Sequence, residues 1–220
     1  MNQNSNDAPM KWSNAIILLL MALLTIFAIS PCSAWSLDRN SHAYGWNLFS
    51  YFTIQSNILA VITYLIAALY IFKRQPAANW FRYLRGGAVL YMTITGLVAA
   101  TLLQGAEVNT TPDTFDWKNF VLHELGPLFI VLWWLMWPSK SATTSRQALI
   151  WLIFPLMWTF YTFIRAQMTG WYPYPFLNPE RVGGWSGVAI YVLAITIGFV
   201  VISQLIAWIS RMRANNHTFY

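Results

Sequence analysis

A hydroxyl and an imidazole interrupt two otherwise apolar stretches of this chain. Thr53 lies in Ser50-Tyr51-Phe52-Thr53-Ile54-Gln55-Ser56-Asn57, and His123 in Trp117-Lys118-Asn119-Phe120-Val121-Leu122-His123-Glu124. Polar groups in hydrocarbon are costly, so their presence there points to function. A threonine hydroxyl is a poor nucleophile alone and needs a base to take its proton as it attacks; a neutral histidine is such a base. Attack on an ester carbonyl passes through a tetrahedral oxyanion that needs hydrogen-bond donors. Asn57, Arg165 and Tyr174 are candidate donors, and Ser50 and Tyr172 complete the set of candidate substrate contacts. Ser50, Thr53 and Asn57 are spaced by three and four, which puts them on one face of a continuous helix. The competing role for such a face is to hold helices together by hydrogen bonds. No acid is placed to orient the imidazole, so the expectation is a dyad and not a triad.

The elements that must position this pair are membrane-length segments. The chain has 220 residues, 57% hydrophobic and 9% charged, against roughly 25% charged in a typical soluble domain. Apolar, nearly uncharged runs cover about 14–34, 48–72, 86–104, 119–137, 148–167 and 186–209. Each approaches or exceeds the roughly 20 residues that cross a bilayer. The expected fold is all-α: one polytopic bundle of six transmembrane helices. Lys11, then Lys73, Arg74, Arg82 and Arg85, then Lys140 and Arg146, then Arg211 and Arg213 fall on one side of the alternating segments. The other connections carry most of the acids: Asp38, Glu107, Asp113, Asp116 and Glu180. By the positive-inside rule both termini are cytoplasmic, and a bacterial cytoplasmic membrane is the expected location. Lys11, an apolar run and Cys32-Ser33-Ala34 also fit a signal peptide. Removing it would leave five spans and strand the charge pattern, so the run is taken as a span.

With that orientation Thr53 and His123 each lie about one turn into an inward-running segment, roughly 5–10 Å below the outer interface. Arg165 arrives near the same level at the end of segment five. The loop Trp171-Tyr172-Pro173-Tyr174-Pro175-Phe176-Leu177-Asn178-Pro179 follows on that side. Its three prolines and four aromatics favour a stiff lid or plug.

Several chemistries drop out. The net charge of +6 sits between apolar runs and serves orientation, not nucleic acid. His123 is the one histidine inside an apolar run, so haem held by two membrane imidazoles fails. Glu124 is followed by Leu125 and Gly126, so a His-Glu-x-x-His zinc motif fails too. Cys32 is the sole cysteine, which leaves no intrachain disulfide and no cysteine metal cluster. No phosphate-binding glycine loop or dinucleotide fingerprint is present, and no cofactor is expected. The partners expected are membrane lipids or a lipid-like substrate. The alternative to an enzyme is a carrier or binding protein for a small amphiphilic solute. Transporter folds usually show repeat halves, however, and no repeat is visible here.

Three of these stretches resemble the androgen-induced-protein family of multi-span membrane hydrolases and their bacterial relatives. They are Phe49-Ser50-Tyr51-Phe52-Thr53-Ile54, then Trp117 to His123 with Pro127 after it, and Gly170-Trp171-Tyr172-Pro173-Tyr174-Pro175-Phe176-Leu177. The resemblance spans roughly residues 46–205, with the intervening sequence only generically hydrophobic. It implies hydrolysis of fatty acid esters of hydroxy fatty acids, with the nucleophile at Thr53 and the histidine at His123. The polar run Gln55-Ser56-Asn57 and the doubled Tyr-Pro of the loop depart from the family pattern. Both departures bear on the substrate more than on the reaction type. Everything then turns on whether the Thr53 hydroxyl and the His123 ring nitrogen meet.

Overall fold

The computed structural model describes residues 12–30, 39, 41–103, 116–137 and 141–216. Six helices in it are long and apolar enough to cross a membrane: α1 (Trp12–Ile29), α2 (Phe52–Phe72), α3 (Phe81–Leu102), α4 (Trp117–Met136), α5 (Ser145–Thr169) and α6 (Trp185–Asn216). The chain is therefore, by length and composition, an all-helical multi-pass membrane protein. Side chains such as Phe160, Met168, Ile190 and Leu193 stand exposed on the outer faces of α5 and α6. Such contiguous apolar exposure is foreign to a water-soluble monomer and suits a lipid surround. Cys32 and the other residues of 31–38 fall outside the described residues, as do Pro112 and Pro138.

The interior is built on α2 and α3. Ala15, Leu18, Ala22 and Thr25 recur at helical spacing on α1 and lay a buried stripe against α2. Tyr64 of α2 meets Phe129 and Trp133 of α4 edge-on, at centroid distances of 5.4 and 5.9 Å. Helix ends follow local chemistry. Asp116 accepts from the amides of Lys118 and Asn119 to start α4, and Thr144 with Gln147 forms a capping box that starts α5. α5 ends at Gly170, whose left-handed φ of 67° suits glycine.

Two prolines modify the helices that contain them. Pro155 has no amide hydrogen to give the carbonyl of Trp151, and the preceding turn Leu149–Leu152 tightens to a 3-10 form. The Tyr91 hydroxyl of α3 donates to that Trp151 carbonyl instead, at 2.8 Å. Pro127 has a larger effect on α4: residues Val121–Leu125 widen into a π-turn.

Several boundaries differ from the sequence expectation, among them the end of the sixth helix, which runs to Asn216 and not to 209. The second segment starts at Phe52 and not at 48: Gly45–Ser50 forms a separate 3-10 helix, and Tyr51 is extended with ψ 134°. The first helix ends at Ile29. The third begins at Phe81 and not at 86, so Arg82 and Arg85 are helical and do not belong to a connecting loop. Arg85 is 6% exposed. Its Nη2 donates to the carbonyls of Trp133 and Trp134, each at 3.4 Å, and to that of Trp137. Its guanidinium also stacks on the Trp133 ring at 4.2 Å. The last carbonyls of a helix lack intrahelical donors and sit at its negative end. Arg85 caps α4 from the neighbouring helix.

Gly86 lets the Trp151 ring lie directly on α3: a Cβ there would fall 2.1 Å from Trp151 Cζ2. The indole cannot simply swing away, because its N–H donates to the Tyr83 carbonyl at 2.8 Å. Gly86→Ala should therefore destabilise the bundle by about 1–3 kcal/mol, with partial recovery in the Gly86→Ala, Trp151→Phe double variant. Thermal unfolding in detergent checks this, and an unchanged midpoint for Gly86→Ala would refute the close packing.

Candidate active site

Thr53 is the second residue of α2, and that position decides what its hydroxyl can do. Serine and threonine inside a helix commonly bond the carbonyl four residues back. Thr25, Ser56, Thr63, Thr93, Thr101, Thr159, Thr169 and Thr196 all do so. For Thr53 that acceptor would be Phe49, which lies before the break at Tyr51; its carbonyl accepts from Gln55 Nε2 at 2.9 Å. The Thr53 hydroxyl is left to groups from elsewhere in the fold. Its Oγ1 lies 3.2 Å from His123 Nε2 and 3.1 Å from the Tyr174 hydroxyl.

The proton arrangement follows from the partners. His123 Nδ1 lies 3.2 Å from the carbonyl oxygen of Asn119, which can only accept. In the neutral ring Nδ1 therefore carries the hydrogen and Nε2 presents its lone pair to Thr53. A backbone carbonyl does here what a carboxylate does in a triad: it fixes tautomer and ring direction. Glu124 is exposed and takes no part. Tyr174 accepts from the Thr53 amide at 3.1 Å, and its own hydrogen is free to point at Thr53 Oγ1. Burial raises the Tyr174 phenol above its ordinary value, so it stays a donor at neutral pH.

The π-turn supports His123. The amide of Gly126 donates to the Val121 carbonyl, five residues back. Leu122 O then has no helical donor: Gly126 is taken, and Pro127 has no hydrogen. Asn57 Nδ2 fills the gap, donating to Leu122 O at 3.2 Å and to Thr53 O at 2.9 Å. One amide thus ties the helix of Thr53 to the turn that carries His123. Glycine is needed at 126, where a Cβ would meet Val121 O at 2.8 Å and Met92 Cε at 3.0 Å.

On its other side Thr53 borders a cavity of about 110 Å³. Phe52, Ile94, Val98, Leu156, Phe176 and Phe199 supply much of its apolar wall, and Tyr174 stands beside Thr53. The loop after α5 closes this region. Tyr174, Phe176 and Leu177 are buried, and the Tyr174 and Phe176 rings stack at 5.2 Å. It is a packed plug.

The remaining candidate residues lie apart from the Thr53–His123 contact. Ser50 precedes α2 and shares no helical face with Thr53; its Oγ pairs with the Tyr161 hydroxyl at 2.8 Å, and its carbonyl accepts from Trp158 Nε1 at 3.0 Å. Asn57 is on the α2 face but is no oxyanion donor, since both its bonds run to backbone carbonyls; it is a positioning residue. Arg165 donates to Asn47 Oδ1 at 2.5 Å and stacks over Trp171 at 4.2 Å. Tyr172 is half-buried against the core, and among the described residues no side-chain hydrogen bond joins it to the pair. Sequence reasoning missed Asn119 and the part played by Gly126-Pro127. The visible sign was a proline four residues after the histidine, where it must orphan helical carbonyls.

Asn57→Ala should leave the Leu122 carbonyl buried without a donor and lower stability by about 1–3 kcal/mol. Unfolding midpoints in detergent test this; a melt equal to wild type would remove Asn57 from the support of the π-turn. No protein-family model, curated protein or solved structure matches the chain.

Proposed function

We propose that this chain hydrolyses a lipid ester, with Thr53 as nucleophile and His123 as base. The observation that carries the proposal is the Thr53 Oγ1–His123 Nε2 contact of 3.2 Å, with the tautomer set by Asn119. The apolar cavity beside Thr53 supports an acyl chain as the bound group. Thr53 Oγ attacks the ester carbonyl carbon while its proton passes to His123 Nε2. The oxyanion takes up the Thr53 amide and the Tyr174 hydroxyl, donors that in the resting site satisfy each other and Thr53. His123 then returns its proton to the departing alkoxide, leaving an acyl ester on Thr53. Water attacks that ester, gives a proton to His123, and releases the acid as Thr53 recovers its hydrogen.

The charge distribution supports cytoplasmic termini and a site near the outer leaflet; the resemblance to bacterial relatives points to a bacterial cytoplasmic membrane. An ester at the interface with its chains in lipid would reach such a site. The resemblance to the androgen-induced-protein family points to fatty acid esters of hydroxy fatty acids as the substrate class.

A fluorophosphonate should label the wild-type protein at Thr53, and Thr53→Ala and His123→Ala should each abolish labelling. Labelling that survives in Thr53→Ala would sink the nucleophile assignment. Tyr174→Phe should lower kcat for a long-chain acyl ester by roughly 10–10³-fold with a smaller change in KM. Binding of the ester without cleavage by the wild-type protein would instead identify a carrier.

A further inference from the structure

The opposite end of the bundle, where α3 and α5 begin and α6 ends, holds a second built site. Arg82, Gly86, Trp134, Thr143, Ser210 and Arg213 surround a small cavity of about 10 Å³, space for one oxygen-sized atom. Its polar groups are predominantly donors. Ser210 Oγ accepts from the Thr143 amide at 3.0 Å, so its own hydrogen is free to donate. Arg82 spends Nη1 on the Ala142 carbonyl at 2.9 Å and Nη2 on the Tyr83 hydroxyl at 2.8 Å. Its Nε is buried without an acceptor among the described residues, and so is that of Arg85 behind it.

Among the described residues these charges face no carboxylate. Arg85 and Arg213 both reach the single carbonyl oxygen of Trp134, each at 3.4 Å. Two guanidinium groups therefore converge on one neutral acceptor through long bonds, with a third beside them. The described carboxylates, Asp116, Glu124 and Glu180, lie at the start of α4 and in the loop after α5, away from this end. A cluster of cations and free donors that faces no described acid favours an anion beside it.

We propose that this pocket binds a phosphate group, one of whose oxygens enters between Arg82, Ser210 and Arg213 while the rest stays at the mouth. The same chemistry is offered by the headgroup of an anionic phospholipid and by free phosphate. Arg85 belongs to the cap of α4 and supplies field rather than direct contact.

The test uses the full chain in detergent. Phosphatidylglycerol should be retained in native mass spectrometry over phosphatidylcholine by roughly tenfold, the order expected for charge-assisted hydrogen bonds. It should also raise the unfolding midpoint more than phosphatidylcholine does. Arg82→Gln and Arg213→Gln should each cut both effects, while Arg213→Lys, which keeps the charge, should keep most of them. Protection by inorganic phosphate alone, lost in the same variants, would make free phosphate a source of the same ligand. Equal retention of the two phospholipids by the wild-type protein, with no effect of inorganic phosphate, overturns the site, and this comparison needs no variant to fold. A preference that survives in the Arg82→Gln, Arg213→Gln double variant overturns it as well.

Discussion

The site depends on one unmet requirement, the carbonyl of Leu122. Within a bilayer no water can satisfy a freed backbone group, so the protein must supply a donor. Pro127 removes one helical donor and the π-turn diverts the other to Val121. Asn57 answers from α2, and the same side chain holds the Thr53 carbonyl. The requirement thereby ties together the two helices that carry Thr53 and His123. Pro155 repeats the device at Trp151, where Tyr91 is the donor. In each case a proline in one helix is matched by a polar side chain from another, and the match fixes how the helices sit.

Irregular backbone is what brings the pair together. A threonine one turn deeper in α2 would bond its own helix, as its many counterparts here do. The extended Tyr51 denies Thr53 that partner, and Tyr174 then caps the open start of α2 through the Thr53 amide. His123 sits in the π-turn, a form that recurs at functional sites because it redirects side chains without ending the helix. Asn119 lies four residues back, within reach of the ring.

Six membrane-length segments were legible because long apolar runs between charges leave few alternatives, and the pairing of Thr53 with His123 was reachable from depth and orientation. The break at Tyr51 was not, because Ser50-Tyr51-Phe52 contains no glycine or proline to mark it. Ser50 was consequently placed on a face it does not share. Asn57 looked like a donor for chemistry because residue type does not reveal which carbonyls a proline has freed. Charge counting assigns Arg85 to a loop, because it gives a side of the membrane and says nothing of burial. Hydrogen-bond register and the burial of a charge are what apolar patterning does not encode.

On the proposed chemistry, the plug after α5 bears on how a substrate would arrive. Tyr174 is bonded to both the amide and the hydroxyl of Thr53, and its ring is packed against Phe176, Tyr51 and Trp158. Lifting the plug would break the contacts that hold the Thr53 hydroxyl and uncap α2 at the same moment. Entry from the aqueous side would dismantle the site it serves. The apolar cavity reaches Thr53 between α2, α3, α5 and α6 without disturbing those bonds. On the proposed chemistry, an acyl chain therefore enters sideways among the helices, and the plug serves to keep Tyr174 in place and bulk water out.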